Sequence, residues 1–273
     1  MSVLVLADLH LDMWLEVGID PFQWLAYGQY DAFDGLIIAG DLSNKPKVRW
    51  PHMIAHLKRY MPAEKIYIVP GNHDYYDHVL DGDDRLAAIC AEAGVHFAQK
   101  SEFFIGGLRF LCATLWTDFQ LDEAPEWAME VVERQMNDYR YIRLASQGYR
   151  KIRPADTVRV HADHRAWLES RLAVPYDGPT VVVTHHCPLP GLISEGPRDE
   201  MDFAYGSDLE PLMTKYRPET WLFGHTHLQN KGFGRGGTLV QNVSVGYPDQ
   251  MHPDDLTGCV IRSLRALPHP CKP

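Results

Sequence analysis

Short apolar runs recur along the chain at residues 3–7, 35–39, 65–69, 108–115, 179–183 and 220–223, and each ends in a polar cluster. Runs of four to eight residues rich in Val, Ile and Leu read as buried strands. Helical patterns lie between several of them, at 48–60, 83–93, 162–172 and 208–216. Strand alternating with helix dictates an α/β layered architecture. The stretch 238–245 followed by 258–264 has glycine-rich turns and no long helix between. It predicts a hairpin, and so a more antiparallel region near the C-terminal end.

The 273 residues allow one large domain, and about 70–75% of the unfolded chain's surface can be buried without covalent staples. Apolar residues make up 45% and charged residues 23%, which excludes a disordered chain. Five scattered cysteines with no CxxC pair do not read as a disulfide framework, and a reducing compartment follows as the expectation. The opening apolar run is too short for a signal peptide and has no basic flank. No run approaches the about 20 apolar residues of a membrane span. Together these features predict a cytoplasmic protein. The formal net charge of −10 argues against a protein that wraps a nucleic-acid backbone.

The chemistry sits at the strand ends. The first run leads into Asp8-Leu9-His10, the second into Gly40-Asp41-Leu42-Ser43-Asn44, and the third into Gly71-Asn72-His73-Asp74. Later runs lead into His185-His186 and Gly224-His225-Thr226-His227. In α/β sheets the crevice at the carboxyl ends of the strands is the usual ligand site. Asp8/His10 and His225/His227 are spaced i, i+2, which in extended backbone puts both side chains on one side. Two such pairs brought together make a multidentate cage of imidazole and carboxylate. His52, His56, His78, His96, His161, His164, His252 and His269 carry no such pattern and are left unassigned.

The blocks Asp8-x-His10, Gly40-Asp41-x-x-Asn44, Gly71-Asn72-His73-Asp74, His185 and Gly224-His225-x-His227 occur in order. In this the chain resembles the calcineurin-like metallophosphoesterase family. The resemblance implies a four-layer α/β/β/α sandwich, with two mixed sheets packed together and helices outside. It implies two divalent metal ions, one held by Asp8, His10, Asp41 and His227, the other by Asp41, Asn72, His185 and His225, with Asp41 bridging. It implies hydrolysis of a phosphoester by a metal-activated hydroxide, with His73 as general acid. All proposed ligands are N or O donors, which permits Mn, Fe, Zn, Co or Ni. Asp74 either orients the His73 ring or caps the following turn.

Two segments read as excursions from a single domain spanning 1–273. The first, 119–156, contains an expected helix over 125–144 and is predicted to act as a cap. Arg140 and Arg143 on that helix would share a face. They either hold a second anionic group of the substrate or form a solvated basic face. The second excursion, 188–207, is rich in Pro and Gly and reads as a long loop; Arg198 and Tyr205 are its candidates for the site. Asn44 could hydrogen-bond across the site, and Trp116 to Asp118 could line it. His186 reads as packing beside the ligands and Cys187 as a buried small residue. Residues 268–273 read as a loose tail.

The sequence supports a small-phosphoester hydrolase first, with a diester slightly favoured over a monoester. A nuclease or DNA-processing enzyme comes second, and would need a basic track longer than Tyr149 to Arg153. A non-catalytic interaction module comes last, opposed by the intact ligand set.

Overall fold

A computed structural model of the chain describes residues 2–24, 30, 33–121 and 125–250. Strands β1 (Val3–Leu6), β2 (Gly35–Ala39), β3 (Ile66–Val69) and β4 (His96–Phe97) form one sheet in that order. All its pairings are parallel. Its connections carry α1 (Leu11–Glu16), α2 (Pro46–Leu57) and α3 (Asp83–Ala93). Helix α3 stops at Gly94, whose φ of 78° is the left-handed cap that glycine takes without steric cost.

A hairpin of β5 (Ser101–Ile105) and β6 (Leu108–Ala113) follows. The first excursion contains α4 (Pro125–Gln135), α5 (Asp138–Tyr141) and a ribbon of β7 (Arg143–Leu144) with β8 (Arg150–Lys151). Then come α6 (Pro154–Leu172), β9 (Thr180–Thr184), α7 (Asp202–Tyr205) and α8 (Glu210–Tyr216). The described chain ends with β10 (Thr220–Phe223), β11 (Lys231–Phe233) and β12 (Leu239–Asn242). The second sheet runs β11-β12-β10-β9-β6-β5, antiparallel at its two outer pairs and parallel within. Among the described residues only this second sheet is mixed; the first is parallel throughout, where the resemblance implies two mixed sheets.

Side-chain alternation along the strands sorts the core into layers. Val3, Val5, Ile37 and Val69 meet Phe110, Cys112, Val181 and Val183 between the two sheets. Leu4, Leu6, Ile38 and Ile68 face the other way and pack with Trp50 and Ile54 of α2 and Leu86 of α3. On the far side Leu111, Val182, Trp221 and Phe223 pack with Leu168 of α6 and Met213 of α8. Helix, sheet, sheet and helix make four layers. Strands buried on both faces must be apolar throughout, which is why they read as unbroken runs.

The expected helix over 125–144 breaks after Gln135. The backbone of Arg143 is drawn into pairing with residues 78–80: Leu80 N–H donates to Arg143 O at 2.8 Å, and Arg143 N–H to His78 O at 3.3 Å. Tertiary pairing outweighs the weak helix preference of this stretch. Conversely, the helix expected over 162–172 starts earlier, at Pro154, where Asp156 accepts the Arg153 N–H at 2.8 Å. The strand expected over 238–245 appears as β12, with β11 as its antiparallel neighbour. Its expected partner, 258–264, and the tail, 268–273, lie outside the described residues. Cys90, Cys112 and Cys187 are free and buried. No helix among the described residues is long and apolar enough to cross a membrane.

Candidate metal centre

Five strands of both sheets deliver side chains to one place: β1 brings Asp8 and His10, β2 Asp41, β3 Asn72, β9 His185, and β10 His225 and His227. The i, i+2 pairs do converge, but not through extended backbone. Asp8, His10, Asp41, His225 and His227 all take left-handed φ, between 39° and 68°. Each such residue costs about 1–3 kcal/mol and persists only where its surroundings fix it. Here the backbone fixes it: Asp8 N–H donates to Gly40 O at 3.0 Å, and His10 N–H to Asp41 O at 2.8 Å. The signature glycines make room. A Cβ at Gly40 would lie 2.0 Å from His185 Nδ1, at Gly71 2.2 Å from Asp41 Oδ1, and at Gly224 2.3 Å from Asp8 Oδ2.

The donors form overlapping groups. Asp8, His10 and His227 offer atoms within 4.8 Å of one another, as do Asp41, His185 and His225, and a third group of His10, Asp41 and His73 links the two. Asp41 stands between them, with Oδ2 3.7 Å from His10 Nε2 and Oδ1 3.5 Å from His185 Nε2. His185 Nδ1 donates to Ala39 O at 3.1 Å, so its Nε2 carries a lone pair. That lone pair faces Asn72 Oδ1 at 2.8 Å and the Asp41 carboxylate. Three acceptors turned toward one point call for a cation. His227 Nδ1 is likewise held by Gln250 Oε1 at 2.7 Å, leaving Nε2 toward Asp8 Oδ1 at 3.1 Å. His10 Nε2 and His225 Nε2 are buried with no hydrogen-bond partner.

Electrostatics point the same way. Burial, then the Asp8 and Asp74 carboxylates, pushes Asp41 well above the usual carboxylate range. Burial pushes His10, His185 and His225 below the usual imidazole value, so they are neutral, the state in which His ligates. His227 goes up, because the adjacent Asp8 carboxylate outweighs its burial. The four imidazoles, an Asn oxygen and two carboxyl groups form a hard-to-borderline donor set of the kind that suits divalent first-row cations.

His73 stands at the rim. Its Nδ1 donates to Asn44 Oδ1 at 2.9 Å, its Nε2 lies 3.3 Å from the Tyr247 hydroxyl, and its ring stacks on Tyr76 with centroids 4.2 Å apart. Burial, reinforced by His185, pushes it down to about 3. Asp74 does not orient this ring. Its carboxylate accepts the N–H groups of Gly71 (2.8 Å), Asp41 (2.8 Å), Leu42 (3.3 Å) and Ser43 (3.1 Å) and the Trp50 indole N–H (2.9 Å). It binds the turn after β3 to the turn after β2, and burial pushes its pKa up to about 6. The residue that holds the His73 ring is Asn44.

A cleft of about 490 Å³ opens over the centre. Asp41, Asn72, His225 and His227 line its floor; Gln135 to Asn137, Ile193 to Glu195, Met201 and Tyr205 line its walls. Tyr205 thus reaches the site, its ring centroid 4.9 Å from that of His225. Arg140 and Arg143 do not line the cleft. They share no helix face, since Arg143 lies in β7, and their guanidinium groups donate to Arg134 O and Tyr149 O. Arg198 donates to Leu121 O, and Trp116 packs behind the site against Tyr75 and His186. His186 is buried against His225.

Several residues here carry no sequence motif. The Tyr247 ring stacks on His10 with centroids 4.2 Å apart, Ser244 Oγ donates to Asp8 Oδ2 at 2.6 Å, and Asp138 accepts from Asn72. The first two arrive because Ala7 bridges to Ser244, laying the segment after β12 beside β1. Topology, not local pattern, places them.

Residues 1–229 match the family described as calcineurin-like phosphoesterase. An uncharacterized protein of Acanthamoeba polyphaga mimivirus is 24% identical over 200 residues, 67% of this chain and 69% of its own. Among solved structures, a phosphopantetheinyl hydrolase from Mycobacterium tuberculosis superposes with a TM-score of 0.72 at 20% identity, over 100% of this chain and 98% of its own. A dimetal phosphatase from Danio rerio superposes with a TM-score of 0.52 at 11% identity, over 89% of this chain and 86% of its own. At these identities the structural likeness is one of fold.

Proposed function

The chain belongs to the calcineurin-like phosphoesterase family, and from that premise we propose that it hydrolyses a small phosphoester, a diester slightly favoured over a monoester, at a two-cation centre with His73 as general acid. One observation carries the reading: Asp8, His10 and His227 form one donor group and Asp41, His185 and His225 another at the floor of a cleft, Asp41 also reaches His10, and His10 Nε2 and His225 Nε2 are buried without a partner. Asp8, His10, Asp41 and His227 would hold one ion; Asp41, Asn72, His185 and His225 the other. Two divalent cations there would neutralise phosphoryl oxygens and lower the pKa of a bound water.

The chain's own residues supply the rest. Asn44 fixes the His73 ring by its Nδ1, so Nε2 is the atom that meets the leaving oxygen. The negative charge of a bound phosphoester would oppose the burial and the neighbouring cations that hold the His73 pKa down, and Nε2 is the atom from which a proton would pass. The cleft volume falls within the ~300–1,000 Å³ of small-molecule sites, far more than a phosphoryl group alone fills. That spare volume leaves room for an organic substituent beyond the phosphoryl group, which a monoester and a diester both carry. Residues 135–137 supply one wall, which supports reading the 119–156 excursion as a cap that restricts the site to small or exposed esters. Ser244 and Gln250 hold Asp8 and His227, so the working domain runs past the family match at 229 to at least residue 250.

The test is a plate of rates. Metal-stripped protein reloaded with Mn²⁺ meets p-nitrophenyl phosphate and bis-p-nitrophenyl phosphate, with Asp41→Asn as control. Metal-dependent turnover, faster on the diester and lost in the control, is expected. A faster monoester rate overturns the diester preference. Turnover that survives Asp41→Asn overturns the shared centre.

A further inference from the structure

We propose that Asp138, which the 119–156 excursion inserts beneath the cleft, is a positioning residue that sets the Asn72 side chain for cation binding. The inference rests on the reading of Asn72 as a ligand. Asp138 lies in α5, outside every motif of the strand ends, and is 2% exposed. Its Oδ1 accepts two hydrogen bonds, from Asn72 Nδ2 at 2.8 Å and from the Tyr76 hydroxyl at 2.6 Å.

A primary amide has one donor end and one acceptor end. The Asp138 carboxylate only accepts, so Asn72 must turn Nδ2 toward it and Oδ1 the other way. Oδ1 then points at the lone pair of His185 Nε2, 2.8 Å off, beside Asp41. Without Asp138 the amide is free to reverse, and it would then donate to His185 and withdraw its oxygen from the cluster. The same carboxylate anchors Tyr76, whose ring supports His73. One residue of the excursion therefore steadies both a proposed ligand and the proposed acid. Partners that orient a ligand are commonly worth 10–100-fold in metal affinity. The excursion is thus a working part of the centre as well as a wall above it.

The test is calorimetric titration of the metal-stripped full chain with Mn²⁺. Near-ultraviolet circular dichroism checks the fold of each variant. Asp138→Leu removes the acceptor; Asp138→Asn can keep an amide oxygen in the same place. The wild type should bind two ions. Asp138→Leu should weaken one of them by about 10–100-fold and leave the other unchanged, while Asp138→Asn stays within about threefold of the wild type. Activity should follow as a fall in kcat with KM little changed. If the Leu variant does not fold, Asp138→Glu, which shifts the carboxylate by one methylene, should weaken the same ion. A folded Leu or Glu variant with wild-type affinity for both ions overturns the inference. A wild type that binds no Mn²⁺ overturns instead the ligand role of Asn72 on which it rests.

Discussion

The floor of the cleft comes from short strand-end turns, and its walls come from two long excursions, 119–156 and 188–207. Most floor residues are buried, Asp41, His225 and His227 sit in left-handed backbone, and main-chain hydrogen bonds tie the strand ends to one another. The wall residues Gln135, Asn137, Ser194 and Glu195 are partly or fully exposed. Rigid scaffold ends hold reacting groups to the tolerance that catalysis demands, whereas loops can vary without loss of fold. Under the proposed function the contrast would put the chemistry at the floor and substrate choice at the walls.

The sharpest way to break that division is at His73, where floor and cleft meet. His73→Ala should slow esters with poor leaving groups by about 10²–10⁴-fold. Esters of p-nitrophenol, whose leaving oxygen needs no proton, should change far less. Rates on alkyl and p-nitrophenyl esters of the same phosphate measure this, and equal losses on both would remove the general-acid role.

Asp74 tests whether the floor is a structural as well as a chemical unit. Replacement by Ala would leave four buried N–H groups and the Trp50 indole without an acceptor. Unsatisfied buried donors cost about 1–3 kcal/mol each before relaxation. Asp74→Ala should therefore lower unfolding stability by about 3 kcal/mol or more, read by urea denaturation of the metal-free chain. A loss below about 1 kcal/mol would mean that the two turns hold without it.

The same contrast explains how much was legible in the sequence. The strands were legible because burial on both faces forces unbroken apolar runs. The floor was legible because Gly40, Gly71 and Gly224 must stay small beside the donors, so donors and glycines travel together in short blocks. The local reason for convergence was not legible: Asp8 and His10 read as extended backbone yet turn left-handed, since hydrogen bonds from the neighbouring strand end fix them. Asp74 beside His73 in sequence suggested a contact, but the turn sends its carboxylate back toward α2 and the turn after β2. Tyr247, Ser244 and Asp138 reach the centre only through long-range topology, which no local pattern records.

In the wall, Met201 lines the cleft and touches none of the proposed ligands' hydrogen bonds. Met201→Ala should shift the ratio of diester to monoester rates by about tenfold, the usual worth of an apolar contact in a pocket, with metal affinity unchanged. A change in metal affinity would show that wall and floor are coupled there too, as they are through Asp138.

The smallest effect belongs to the two arginines that sequence spacing set above the site. Arg140 and Arg143 are exposed and do not line the cleft, and each donates to a nearby carbonyl. Exposed hydrogen bonds of this kind add little, and surface substitutions away from special features usually stay within about 0.5 kcal/mol. Arg140→Ala and Arg143→Ala should therefore leave stability within that margin and turnover of every tested ester within about twofold. Selective loss of rate on esters bearing a second anionic group would return them to the substrate, because only a guanidinium near the bound ester discriminates by that charge. Unchanged rates would confine selection to the side chains that line the cleft.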